Sequence, residues 1–149
     1  MPDLYAISTA IAARFAAAQV TPPATFQNIR VATAAPPGAM PALPCVIVFP
    51  DQGDFDTGNG TRMGVHQFTV RFYYGQAGDI ARDAVALQKW ITVLADQLRI
   101  SVQLGGLTSV ARCTVDGYKV GYLNYGGKDY SGIELTVGVT TTEGWAAVA

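Results

Sequence analysis

Between Gly78 and Ile100 an apolar residue recurs every three or four positions: Ile80, Ala84, Leu87, Ile91, Leu94 and Leu98. A helix turns once in about 3.6 residues, so these side chains fall on one stripe that has to be buried against other elements. Gly78-Asp79 opens this segment, which predicts a helix of about 20 residues. A second, shorter stripe of Leu4, Ile7, Ile11, Phe15 and Ala18 predicts a helix over 3–19, with Asp3 as its N-cap and Pro22-Pro23 ending it.

Strands must cover those stripes. Phe68, Val70, Phe72 and Tyr74 alternate with Gln67, Thr69, Arg71 and Tyr73, the period of two that buries one face of a strand. Pro44-Cys45-Val46-Ile47-Val48-Phe49-Pro50 is a short apolar run bounded by turn residues, and the proline-rich stretch 21–44 before it has room for one strand near Phe26–Val31. Between the two clear runs lies 51–64, DQGDFDTGNGTRMG, which reads as a loop closing a long hairpin. After Gly105-Gly106 come three strand candidates, 107–115, 118–125 and 133–141, separated by Asp116-Gly117 and by Gly126-Gly127-Lys128-Asp129.

The order is helix, strands, helix, strands, with no βαβαβ repetition. The expected fold is therefore α+β: a mostly antiparallel sheet with two α-helices packed on one face and a long β-hairpin loop. At 149 residues, one domain over 1–149 is expected. Only 14% of residues are charged, against roughly a quarter in an ordinary soluble domain, so some apolar surface is expected to meet a partner.

The chain carries no recognisable catalytic constellation. His66 is the single histidine, and no G-x-S-x-G elbow or second histidine accompanies it, so it reads as a partly buried strand-end residue and not as a general base. Cys45 and Cys113 sit in apolar strand-like runs and read as buried, reduced thiols. Asp54 and Asp56 match the first and third positions of an EF-hand loop, but Asn59 stands where glycine is needed and Val65 where a bidentate Glu is needed. Glycines 58, 60 and 64 form neither a dinucleotide fingerprint nor a P-loop. No catalytic residue, metal site or cofactor is expected. A net charge of -1 with no basic cluster excludes a dedicated nucleic-acid grip. Met1-Pro2-Asp3-Leu4 has no basic leader region, Arg14 interrupts the alanine-rich stretch, and no run approaches the roughly 20 apolar residues of a membrane span. The expectation is a protein that stays in the cytoplasm in which it is made. Tyr118, Tyr122, Tyr125 and Tyr130 cluster in the last strands with few cations nearby, which reads as core edge or subunit contact and not as base stacking.

The amphipathic first helix, the strand LPCVIVFP with its polar loop and the strand HQFTVRFYY, the helix DIARDAVALQKWITVLADQL and the closing VDGYKVGYLNYGGKDYSGIELTVGV occur in an order that resembles the tail terminator, or tail completion, proteins of long-tailed bacteriophages. The resemblance spans nearly the whole chain and is one of order, length and texture. It implies a homo-oligomeric ring, usually a hexamer, in the tail or neck of the virion, assembled in the host bacterial cytoplasm. Its partners would be the major tail tube protein and a head–tail connector or stopper protein, with DNA only passing through the lumen and no membrane involved. The loop residues Asp51, Asp54, Phe55, Asp56, Asn59 and Arg62 would face the lumen or the tube, where the carboxylates repel passing DNA. Another neck protein (head completion or stopper) or a tail tube protein is the neighbouring alternative. A small enzyme or ligand-binding domain using His66 and the tyrosines is the alternative of a different class.

Overall fold

The computed structural model describes residues 3–20, 28–54, 63–76, 78, 80–100, 104 and 110–142 of the chain. Helix α1 spans Leu4–Ala16; Asp3 Oδ1 accepts the Ala6 N–H at 3.1 Å, the expected cap. The helix stops earlier than its apolar stripe predicts, because the Ala17 N–H turns back to the Arg14 carbonyl and the Ala18 N–H to the Phe15 carbonyl. Ala18 is nevertheless buried, so the stripe outlasts the helix. Pro22 and Pro23 lie outside the described residues.

The strands are β1 (Val31–Thr33), β2 (Cys45–Asp54), β3 (Met63–Gln76), β4 (Val110–Tyr125) and β5 (Lys128–Thr142), with α2 (Ile80–Ile100) between β3 and β4. They form one sheet in the order β1-β2-β3-β5-β4. The sheet is mixed: β1 runs parallel to β2, and the other three pairings are antiparallel. The α+β class expected from the sequence is the class observed.

Register places the apolar residues side by side. Val46 faces Phe72 and Val48 faces Val70 across β2 and β3; Phe72 faces Ile133, Val70 faces Leu135 and Phe68 faces Val137 across β3 and β5. Residues opposite one another on neighbouring strands project to the same side. These side chains share one buried cluster with Ile7, Ile11 and Phe15 of α1 and Leu87, Trp90, Leu94 and Leu98 of α2. Trp90 was not part of the predicted stripe. It lies fully buried with its ring 4.8 Å from that of Phe72, while Ile91, one position on, is only partly buried. The alternate strand residues Cys45, Ile47, Tyr73 and Tyr130 form a second, smaller cluster, capped by Met40 and Leu43 from the segment linking β1 to β2.

Two expected boundaries are corrected. The candidates 107–115 and 118–125 are not separate strands: from Val110 onward they are the single strand β4, and Asp116-Gly117 is a bulge within it, where the register against β5 shifts. The long partner β5 pairs on both sides of the bulge, and the Thr114 hydroxyl donates to Asp116 Oδ1 at 2.9 Å, so the chain kinks without turning. The turn sits only at Gly126-Gly127, with φ of 61° and 82°, the two left-handed residues a type I′ hairpin needs; Lys128 and Asp129 already belong to β5. Likewise 51–64 is not all loop. β2 continues to Asp54 and β3 begins at Met63, with pairing resumed beyond a bulge at Pro50/Gln52. Gln52 Nε2 donates to Gln67 Oε1 at 2.9 Å, and β5 backs β3 as far as Met63 opposite Thr142.

Candidate functional site

The sheet order leaves β1 and β4 at the edges. β1 has 3 residues; β4 has 16 and, among the described residues, pairs through one side only, with β5. Its outer side carries a row of backbone groups of the kind another chain can pair with. Tyr118, Val120 and Tyr122 stand on this strand at 59%, 44% and 50% exposure. They are opposite Leu135, Ile133 and Ser131, so they extend the apolar side of the sheet past the cover of α2. Only the Tyr122 hydroxyl reaches back, donating to the Gly78 carbonyl at 3.4 Å. A period of two with aromatic and β-branched residues was the sequence signal for this patch; Val120 is the member it should have included.

The other two tyrosines do a different job. Tyr130 is buried, edge-on to Tyr73 with centroids 5.8 Å apart, and Tyr125 packs edge-on against the other flank of Tyr73 at the same separation. The Tyr125 hydroxyl donates to the Pro37 carbonyl. Together they hold the 34–44 segment on the sheet, and both line the open cleft beside it.

Asp51 and Asp54 lie on the exposed outer end of β2, at the end of the sheet where β3 is still backed by β5 and β5 by β4. Phe55, Asp56, Asn59 and Arg62 lie outside the described residues. His66 is more deeply buried than expected, at 3% exposure. It sits under Gly53, where a Cβ would come 2.4 Å from Nδ1, so only glycine lets β2 cross the ring.

Neither cysteine is placed for nucleophilic work. Both are free and buried, and burial pushes Cys45 up to about 11 and Cys113 up to about 12. Cys45 Sγ lies 3.6 Å from Met40 Sδ, a contact of two soft apolar atoms. Among the described residues no three His, Cys, Asp or Glu side chains converge as a metal site would require, and no helix is long and apolar enough to cross a membrane.

No protein-family model matches the chain, and the curated proteins contain no match to it. The arrangement can therefore be read only from its own surfaces. The outer face of the sheet is polar where the 34–44 segment leaves it: Arg71 Nε donates to Glu134 Oε2 at 3.1 Å while its guanidinium lies over the Phe49 ring at 5.4 Å. Among the described residues three exposed large apolar side chains stand together on β4, while Tyr5, Val65 and Val85 are exposed singly on α1, β3 and α2.

Proposed function

We propose that the chain, a single domain over 1–149, is a structural virion protein and not an enzyme. It would be a tail terminator that forms a ring on the last ring of the tail tube, ends its polymerisation and provides the head-joining surface. The observation that carries the reading is the open edge of β4 with Tyr118, Val120 and Tyr122 exposed along it. An aromatic and β-branched strip beside unpaired backbone is what a subunit contact uses. In this reading both helices lie on one face of a mostly antiparallel sheet; α2 packs against the Val110–Cys113 end of β4, and Tyr118, Val120 and Tyr122 lie farther along the strand, exposed at the margin. The order of elements quoted from the sequence supports the terminator reading in particular. Its partners are other copies of itself, the major tail tube protein and a head–tail connector; DNA passes through the lumen without being held.

Two measurements test this. Val120→Lys places a charge in the centre of the strip, so it should abolish assembly while circular dichroism and Tm stay close to wild type; assembly that survives would remove β4 from the interface. Particles made without the protein should carry overlong tails detached from heads. Normal free tails beside full heads would reassign it to the head side of the neck.

A further inference from the structure

At the end of the sheet where β2 begins and β3 ends, an open cleft of about 700 Å³ lies between the 34–44 segment and the β4–β5 turn. That volume falls within the roughly 300–1,000 Å³ of ordinary ligand sites. Met40 and Leu43 make part of its lining apolar, and Arg30 and Lys128 make part of it cationic. No carboxylate lines it; Asp129, beside Lys128 in the chain, is engaged by Asn124, whose Nδ2 donates to Oδ1 at 3.2 Å. Neither Arg30 nor Lys128 has an ion-pair partner among the described residues. Tyr130 is an independent sign of a ligand. It lines the cleft at only 5% exposure, its ring is fixed edge-on to Tyr73, and its hydroxyl has no hydrogen-bond partner among the described residues. Along the opposing wall, residues 38–40 make no backbone hydrogen bond among the described residues.

We infer that this cleft binds an extended segment of a partner protein that carries an acidic side chain beside an apolar one. Guanidinium, ammonium and hydroxyl can all donate, and an ionised carboxylate, which only accepts, satisfies all three. The apolar neighbour in the segment covers Met40 and Leu43. A peptide also brings its own N–H and C=O groups to the open backbone of 38–40, which a small molecule leaves without partners. Two cations on a chain of net charge -1 are too few to hold a nucleic-acid backbone. The inference goes beyond the ring, because the occupant is a different protein and the surface is not the β4 strip.

The test selects displayed random linear peptides on the immobilised full chain; they should converge on Asp or Glu next to Leu, Ile, Val or Phe. An enriched peptide, amidated at its C-terminus and fluorescently labelled, should then bind in an anisotropy titration. Arg30→Gln/Lys128→Gln should weaken it by about tenfold, since exposed pairs are individually modest; both cations are exposed, so the variant keeps the fold. Tyr130→Phe should weaken it by about threefold, through one hydrogen bond. Replacing the peptide's acid with its amide should weaken binding to wild type by about tenfold and to the Arg30→Gln/Lys128→Gln variant hardly at all. Val120→Lys should bind the peptide as wild type does, whatever becomes of the ring. Selected peptides without an acid, or an affinity unchanged in the Arg30→Gln/Lys128→Gln variant, would overturn the proposal. Octanoate that binds where no peptide is selected would make the occupant a small carboxylate, and loss of self-association in that variant would make it a second copy; either result overturns the partner segment.

Discussion

Gly132 and Gly138 lie on the same strand, both look crowded, and they should respond very differently to a methyl group. Gly132 sits on β5 opposite Tyr73 on one side and Gly121 on the other. A Cβ there would fall 2.2 Å from the Phe72 carbonyl oxygen and 2.8 Å from Leu123 Cδ1. The carbonyl belongs to β3, so relieving the clash means parting the two central strands. At Gly138 the obstacle is Asp116 Oδ2, 2.3 Å away, the tip of an exposed side chain that can rotate aside and lose only its bond from Thr114. Overpacking a well-filled site costs about 1–3 kcal/mol, and Gly132→Ala belongs at the upper end because backbone must move. Both substitutions regain about 0.4–1 kcal/mol by restricting the unfolded chain. Gly132→Ala should therefore destabilise by about 2 kcal/mol, and Gly138→Ala should stay within about 0.5 kcal/mol of wild type. With an m-value of about 2 kcal/mol/M, the urea midpoint of Gly132→Ala should drop by about 1 M, and its Tm by roughly 4–8 °C. Urea unfolding followed by far-UV circular dichroism measures both. Equal losses in the two variants, or a larger loss at 138, would refute the distinction between backbone and side-chain obstacles.

Trp90→Ala should cost about 3–5 kcal/mol in urea unfolding, the usual range for emptying a large buried aromatic site. Trp90→Phe should cost much less, because it keeps a ring against Phe72 and deletes Nε1–H, which is buried with no acceptor among the described residues. The thiols set a pH dependence: the unfolded chain ionises its cysteines near 9.0, while the folded chain holds them neutral up to about 11 and 12. Their contribution is complete below pH 9 and is lost as the pH rises through that window. Tm should fall from pH 9 to pH 11 less steeply in a Cys45→Ala/Cys113→Ala variant than in wild type, and at pH 8 a thiol reagent should label wild type only after denaturant is added. Gly53→Ala should push β2 away from His66 and speed amide exchange where β2 ends and β3 begins while changing Tm little, because this pairing lies at one end of the sheet.

The periodic segments were legible in the sequence and the punctuation was not. Leu87, Leu94 and Leu98 marked the buried side of α2, but spacing alone treats Ile91 and Trp90 as near equals, and the fit against Phe72 selects the larger ring. Asp116-Gly117 has the composition of a tight turn, yet turn chemistry is local and the pairing with β5 is not; a long partner strand converted the signal into a bulge. The same partner extended β3 back to Met63 through residues that read as loop. At the candidate interface, the four tyrosines were found by composition, but only strand position separates Tyr118 and Tyr122, exposed on the edge, from Tyr125 and Tyr130, locked around Tyr73. Arg30 and Lys128 lie far apart in the chain, and no local pattern foretells that the fold brings both to one cleft.

The unequal edges of the sheet limit how it can grow. A neighbour's β4 laid against β1 would find three residues, about 10 Å of backbone, to match a strand of about 50 Å. A continuous ribbon of sheet passing from subunit to subunit is thus unavailable to the described edges, and β4 meeting β4 would close as a pair and go no further. Any assembly larger than two that uses this edge must combine it with a second, unlike surface. The chain therefore carries its own brake on open-ended β polymerisation, set by the shortness of its first strand.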